Sequence, residues 1–238
     1  MEYKYLKEVE NPTLGSVLQI SFNPLKVCSF NCIFCELGNT TRLLMEREMF
    51  YPPEEIFSEI KDYIKNNGEP DYAWLTGNGD PMLYLGFKQL SELIKNEYPN
   101  LKIVVSSNGS LIHRKDVRDD FIISDKLTVN LNTLNPQDYL KISRHHEDVN
   151  LNNVLKGIKL FREKFKGEFG ISTVFVKGIN DNDSTVQNLK SYLLKINPDI
   201  YMISSFTESK EESISEGFKN YVKEMFKNMN FEVFNRME

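Results

Sequence analysis

Six short apolar runs alternate along the chain with segments of helical periodicity. Val17–Phe22, Tyr72–Thr76, Lys102–Ser106, Lys126–Leu131, Ile171–Val176 and Ile200–Ile203 are β-prone. Most end at a turn-forming residue, such as Asn23-Pro24, Gly77 or Ser107-Asn108-Gly109. Between them lie four helical patterns. Pro52-Pro53 opens the first, which runs through Glu55, Ile56, Ile60 and Ile64 and stops at Asn66-Asn67-Gly68. Phe87, Leu90, Leu93 and Ile94 mark the second. Leu151, Val154, Leu155, Ile158 and Phe161 mark the third, and Val186, Leu189, Tyr192 and Leu193 the fourth. Strand–helix alternation of this kind predicts an α/β fold with a parallel sheet built from βαβ units. Six units fit before Phe206 and eight do not, so the expectation is a partial (β/α)6 barrel with parallel strands. A doubly wound sheet is the alternative, and both place their sites at the carboxyl ends of the strands. One domain is expected over residues 1–238, with a core of about 16–206 and a C-terminal extension of about 207–238. That extension reads as a charged helix from Glu211 to near Met229, then a strand at Phe231–Phe234.

Composition sharpens the picture. The chain has 238 residues, of which 40% are hydrophobic and 12% aromatic. That content supports a full core and rules out disorder as the main state. No window approaches the roughly 20 apolar residues of a membrane span. The opening Met1–Glu8 has no basic-then-apolar pattern, so no secretory signal is read and a cytoplasmic location is expected. Lys plus Arg is 29 and Asp plus Glu is 34, a formal charge of −5. This balance does not support an extended nucleic-acid surface, though a small RNA element could dock on a local basic patch. The basic positions Lys156, Lys159, Arg162, Lys164 and Lys166 read as a solvated helix face.

The three cysteines, Cys28, Cys32 and Cys35, all lie just after the first strand as C-x3-C-x2-C. An odd number cannot form a complete disulfide set within one chain. Three thiolates on one loop can hold three corners of a cubane iron–sulfur cluster, leaving one iron open for a substrate or cofactor. A Cys3His zinc site recruiting His113, His145 or His146 is the other reading of the same residues. Polar turns end the later strands: Gly77-Asn78-Gly79-Asp80-Pro81 after the second, and Ser106-Ser107-Asn108-Gly109 after the third. Asn130 and Asn132 end the fourth, where alternation points both to one face. Val176 and Gly178 end the fifth, and Ile203-Ser204-Ser205 the sixth. Arg144-His145-His146 reads as a solvated helix-entry loop.

The cysteine loop placed directly after strand one resembles the radical S-adenosylmethionine (SAM) enzyme superfamily. The resemblance implies that Cys28, Cys32 and Cys35 hold a [4Fe-4S] cluster whose fourth iron is chelated by SAM. It implies reductive cleavage of SAM to a 5′-deoxyadenosyl radical that abstracts hydrogen from a substrate, an RNA base, a peptide or a small molecule. A low-potential flavodoxin or ferredoxin would supply the electron. Gly77, Asn78, Gly79 and Asp80 resemble the family's Gly-Gly-Glu-Pro motif beside the SAM amino group, with Asn78 replacing a glycine and Asp80 a glutamate. Phe34 takes the aromatic position near adenine. Ser106, Ser107 and Asn108 would face SAM, Asn130 and Asn132 its ribose, and Val176 its adenine. The run Cys32-Ile33-Phe34-Cys35-Glu36-Leu37-Gly38-Asn39-Thr40-Thr41 is similar to the wyosine-synthase-like group, without that group's second cysteine set. An activase that installs a glycyl radical on a partner enzyme is the alternative within the superfamily. A zinc-binding interaction module is the alternative outside it.

Overall fold

The structure is a computed structural model that describes residues 3–11, 15–206 and 214–237. Its main sheet has eight strands in the order β1 (Leu6–Asn11), β2 (Gly15–Ile20), β5 (Tyr72–Leu75), β6 (Lys102–Ser107), β7 (Lys126–Asn130), β8 (Glu168–Val176), β9 (Ile200–Phe206) and β10 (Glu232–Asn235). From β2 to β10 every pairing is parallel; β1 runs antiparallel to β2. The ladder stays open, with β1 and β10 at its edges. A separate two-residue pair joins β3 (Val27–Cys28) to β4 (Arg42–Leu43).

Period-two burial explains the strands. Ile103 and Val105 are fully buried, as are Leu127, Val129, Phe169 and Ile171. Trp74, Val104, Ser106, Thr128, Asn130, Ser172 and Met202 alternate with such positions and are only partly covered, so one face of the sheet stays open. Helices α1 (Pro53–Asn67), α2 (Phe87–Glu97), α3 (Lys115–Phe121), α4 (Pro136–Ser143), α5 (Leu151–Arg162), α6 (Asp183–Ile196) and α7 (Glu216–Met225) complete the fold. Their ends follow local rules. In α1, Pro53 opens the first turn, Glu54 and Glu55 sit at the positive end of the dipole, and Gly68 at φ 92° closes it. The Asn135 side chain caps α4 by accepting from the Gln137 and Asp138 amides.

The six expected strands and four expected helices all form. β1, as an antiparallel edge, and α3 and α4, in the connections around β7, go beyond that reading. The strand expected at Phe231–Phe234 forms as β10 and joins β9 in the main sheet as a further parallel strand. The helix expected from Glu211 begins at Glu216 and ends at Met225; the start of that expectation lies outside the described residues. Val222, Phe226 and Phe231 tie the C-terminal elements into the main core. No helix among the described residues is long and apolar enough to cross a membrane.

Candidate cluster and cofactor site

The three cysteines sit on a loop that leaves the carboxyl end of β2. After Asn23 the chain turns through Lys26, a non-glycine residue at φ 58°. The loop returns along β4 and is held from several sides. The Asn31 amide donates to the Ser143 carbonyl at 2.9 Å and the Ile33 amide to that of Ile142 at 3.0 Å, seating the loop on the last turn of α4. The His146 amide donates to the Ser29 carbonyl at 2.9 Å. Within the loop, Thr40 Oγ1 donates to the Phe30 carbonyl at 2.6 Å, and Gly38, at φ 79°, donates to the Cys35 carbonyl at 2.9 Å.

All three thiols are free and partly accessible. Lys26 Nζ donates to Cys35 Sγ at 2.9 Å. The Phe30 amide and Asn108 Nδ2 each lie 3.5 Å from Cys28 Sγ. Burial pushes the Cys28 thiol up to about 12; the Asp80 carboxylate adds to this, and the Phe30 amide and the Lys26 charge oppose it. Burial likewise raises Cys32. Burial therefore disfavours free thiolates here, a cost that bound iron would offset, and three free thiols within one short loop are the donor set a cluster takes. Tyr139 Oη is buried without a hydrogen-bond partner among the described residues, and burial first, then the nearness of Cys32 and Asp80, pushes its pKa up. Among the described residues no three His, Cys, Asp or Glu side chains converge on one ion position. A tetrahedral zinc site needs that convergence. A cubane does not, because each thiolate takes a different iron.

The turn after β5 is locked into this loop. Asn78 accepts at its carbonyl from the Lys26 amide at 2.7 Å, and the Asp80 carbonyl accepts from Asn23 Nδ2 at 2.7 Å. Gly77 adopts φ 66°. Gly79 is needed for a different reason: a Cβ there would lie 1.8 Å from the Val27 carbonyl oxygen. The Asp80 carboxylate is buried and turned inward. It accepts from the Met82 amide at 2.9 Å, Ser107 Oγ at 2.9 Å and the Asn108 amide at 2.7 Å. Desolvation raises its pKa from 3.8 to about 6 against those three donors. Ser107 and Asn108 thus hold the Asp80 side chain, while Asn108 Nδ2 also reaches Ser29 Oγ at 2.9 Å. Three motifs far apart in sequence form one network.

The remaining positions divide. Ser106 and Asn130 lie on the open face, with Asn130 Nδ2 3.4 Å from Ser172 Oγ. Asn132 does not join them. It is buried past the end of β7, where its Oδ1 accepts from the Val174 amide at 2.8 Å and continues the ladder. Val176 is buried, and its amide donates to Asn180 Oδ1 at 2.6 Å. Asn180 Nδ2 in turn donates to the Asn132 and Val174 carbonyls at 2.8 and 3.0 Å. Phe34 lies 6.4 Å from Phe206 at the end of β9, so the loop reaches across to the last long strand. Arg144 is exposed at φ 43°. His145 packs 5.3 Å from Tyr139, and His113 Nδ1 lies 3.0 Å from the Ser110 carbonyl. Lys26, Tyr139 and Asn180 join this arrangement although the sequence did not single them out.

A cysteine loop and a glycine turn at the carboxyl ends of parallel strands define an α/β enzyme class built to hold a cofactor at that edge. The sequence model of the Radical SAM superfamily matches residues 22–189. The chain belongs to that superfamily, whose enzymes use a [4Fe-4S] cluster and SAM. A UPF0026 protein of Methanocaldococcus jannaschii is 30% identical over 80% of this chain and 59% of its own length. A Brachyspira hyodysenteriae protein named GTPase Obg is 31% identical over 80% of this chain but only 28% of its own. The chain therefore spans less than two thirds of either relative's length. TYW1 with a lysine–pyruvate adduct bound shares the fold at TM-score 0.67 and 17% identity, covering 91% of this chain and 74% of that one. A radical SAM methyltransferase from Sphaerobacter thermophilus does so at TM-score 0.68 and 16% identity, covering 97% and 68%.

Proposed function

We propose that this chain reductively cleaves SAM and uses the resulting 5′-deoxyadenosyl radical to take a hydrogen atom from a substrate on the open sheet face. The observation that carries the reading is the lock between the cysteine loop and the Gly77–Pro81 turn. The Lys26 amide is bonded to Asn78 O, and Gly79 lies bare against Val27 O. A [4Fe-4S] cluster, when bound, supplies the electron for SAM cleavage. Cys28, Cys32 and Cys35 would hold it. The carbonyls of Gly77 and Gly79 would take the ammonium group of SAM, since the Asp80 carboxylate and the Asn78, Asp80 and Pro81 carbonyls already accept hydrogen bonds. Phe34 would flank adenine at the rim, and Ser106 and Asn130 would offer polar groups from the open face. Asn132 and Val176 would support that rim from below through Asn180. A flavodoxin or ferredoxin would deliver the electron.

Anaerobic reconstitution followed by dithionite reduction with SAM tests the reading. The expected products are methionine and 5′-deoxyadenosine, seen by chromatography. Cys35→Ala should lose most of the iron and sulfide and all product above background. Stoichiometric zinc without iron in protein purified free of oxygen would overturn the reading. Deuterium arriving in 5′-deoxyadenosine from a labelled RNA, peptide or metabolite would identify the hydrogen donor.

A further inference from the structure

Among the described residues Lys26 is a buried cation, at 3% exposure. Among the described residues no carboxylate pairs with its ammonium; its hydrogen-bond partner is Cys35 Sγ at 2.9 Å. Buried charges are ordinarily paired. Its backbone is also unusual. The φ of 58° is a conformation that L side chains avoid and glycine adopts freely. The fold keeps a lysine there nonetheless. The same residue gives its amide to the Asn78 carbonyl and takes the Thr41 amide at its own carbonyl, at 2.7 and 3.0 Å, so its backbone is held on both sides of the Cα from which the side chain leaves.

We propose that Lys26 is the built-in counter-charge of the cluster, a positioning residue that holds Cys35 and sets the reduction potential of the bound [4Fe-4S] group. This rests on the proposed function above. Three thiolates on a [4Fe-4S] group leave the assembly anionic, and one-electron reduction makes it more so. A fixed ammonium beside one thiolate favours the reduced form and raises the potential; hydrogen bonds and net charge around the sulfurs are known to act on cluster potentials in this way. Asn108 near Cys28 is a neutral neighbour, so Lys26 is the charged member of the set.

The test is a redox titration of reconstituted protein, followed by electron paramagnetic resonance, on wild type, Lys26→Met and Lys26→Arg. Iron and sulfide content is measured in each. Lys26→Met should lower the reduced-to-oxidised ratio at a fixed potential about tenfold, a shift of about 59 mV to more negative values for one electron. Lys26→Arg should stay near wild type. Folded Lys26→Met that loses the cluster while Lys26→Arg keeps it also supports the counter-charge. An unchanged potential in Lys26→Met overturns the inference. So does an equal shift, or an equal loss of cluster, in both variants, since the cause would then be packing. If Lys26→Met does not fold, Lys26→Gln takes its place with the same outcomes. Failure of wild type itself to take up iron and sulfide would bring down the proposed function, and this inference with it. A normal wild type with indifferent variants brings down this inference alone.

Discussion

Gly79 and Asp80 carry neighbouring but different constraints. Gly79 has no room, since a methyl group there would meet the Val27 carbonyl at 1.8 Å. Backbone cannot yield as a side-chain tip can, so Gly79→Ala should push the cysteine loop off the turn. Reconstituted iron should fall severalfold, and SAM affinity by at least tenfold by calorimetry, with near-wild-type circular dichroism. Asp80 has a charge problem instead. Its pKa is raised in the fold from 3.8 to about 6, so the folded state favours the protonated carboxyl. That stabilising contribution is complete below pH 3.8 and is lost as pH rises through about 6. Two units correspond to about 3 kcal/mol over the whole window, of which about 1 kcal/mol falls between pH 5 and 7. Denaturant unfolding of the cluster-free protein at those two pH values should show this loss in wild type, and Asp80→Asn should remove that part of the slope. The cysteines were legible because their spacing is local and chemically distinctive. Lys26, Tyr139 and Asn180 were not. Lys26 meets Cys35 from 9 positions away, Asn180 meets Asn132 from 48 and Tyr139 lies near Cys32 from far along the chain, and no pattern in their own neighbourhood records it.

At the level of elements, the parallel strands were legible because burial on at least one face forces apolar runs. β1 escaped notice because Leu6–Asn11 alternates with charge at an edge, and α3 and α4 because seven and eight residues give too few turns for a period. Helix propensity misleads at one further place. Gly157 lies inside α5, where alanine would ordinarily add about 1 kcal/mol. Here its Cβ would lie 2.5 Å from the His113 amide nitrogen and 2.6 Å from the Ile112 carbonyl carbon. Gly157→Ala should therefore destabilise, by about 1–3 kcal/mol, as overpacking does. A raised melting temperature would refute that placement of α5. Asn180→Ala should also cost about 2–4 kcal/mol, since it strips the Val176 amide and two carbonyls of their buried partner together.

For the molecule as a whole, binding and stability are linked. SAM present at 100 times its dissociation constant should stabilise the loaded protein by about 2.7 kcal/mol. Hydrogen exchange should show that gain mainly as slower exchange over residues 28–43, with the amides of β6–β8 little changed. Arg42 and Glu48, joined by an ion pair at the base of the loop, bracket the region where protection should end. The strands of the parallel run stand in the sheet in the order in which the ribosome makes them. The cysteine loop is nevertheless framed by groups made much later: Asn78, Asn108, Ser143 and His146. A nascent chain therefore exposes all three thiols long before it can enclose them. Iron delivered early in synthesis would meet a flexible trithiol peptide and no pocket. On the proposed function, productive loading would wait until His146 has emerged and docked, which would make metal insertion in the cell a late event in the life of each molecule.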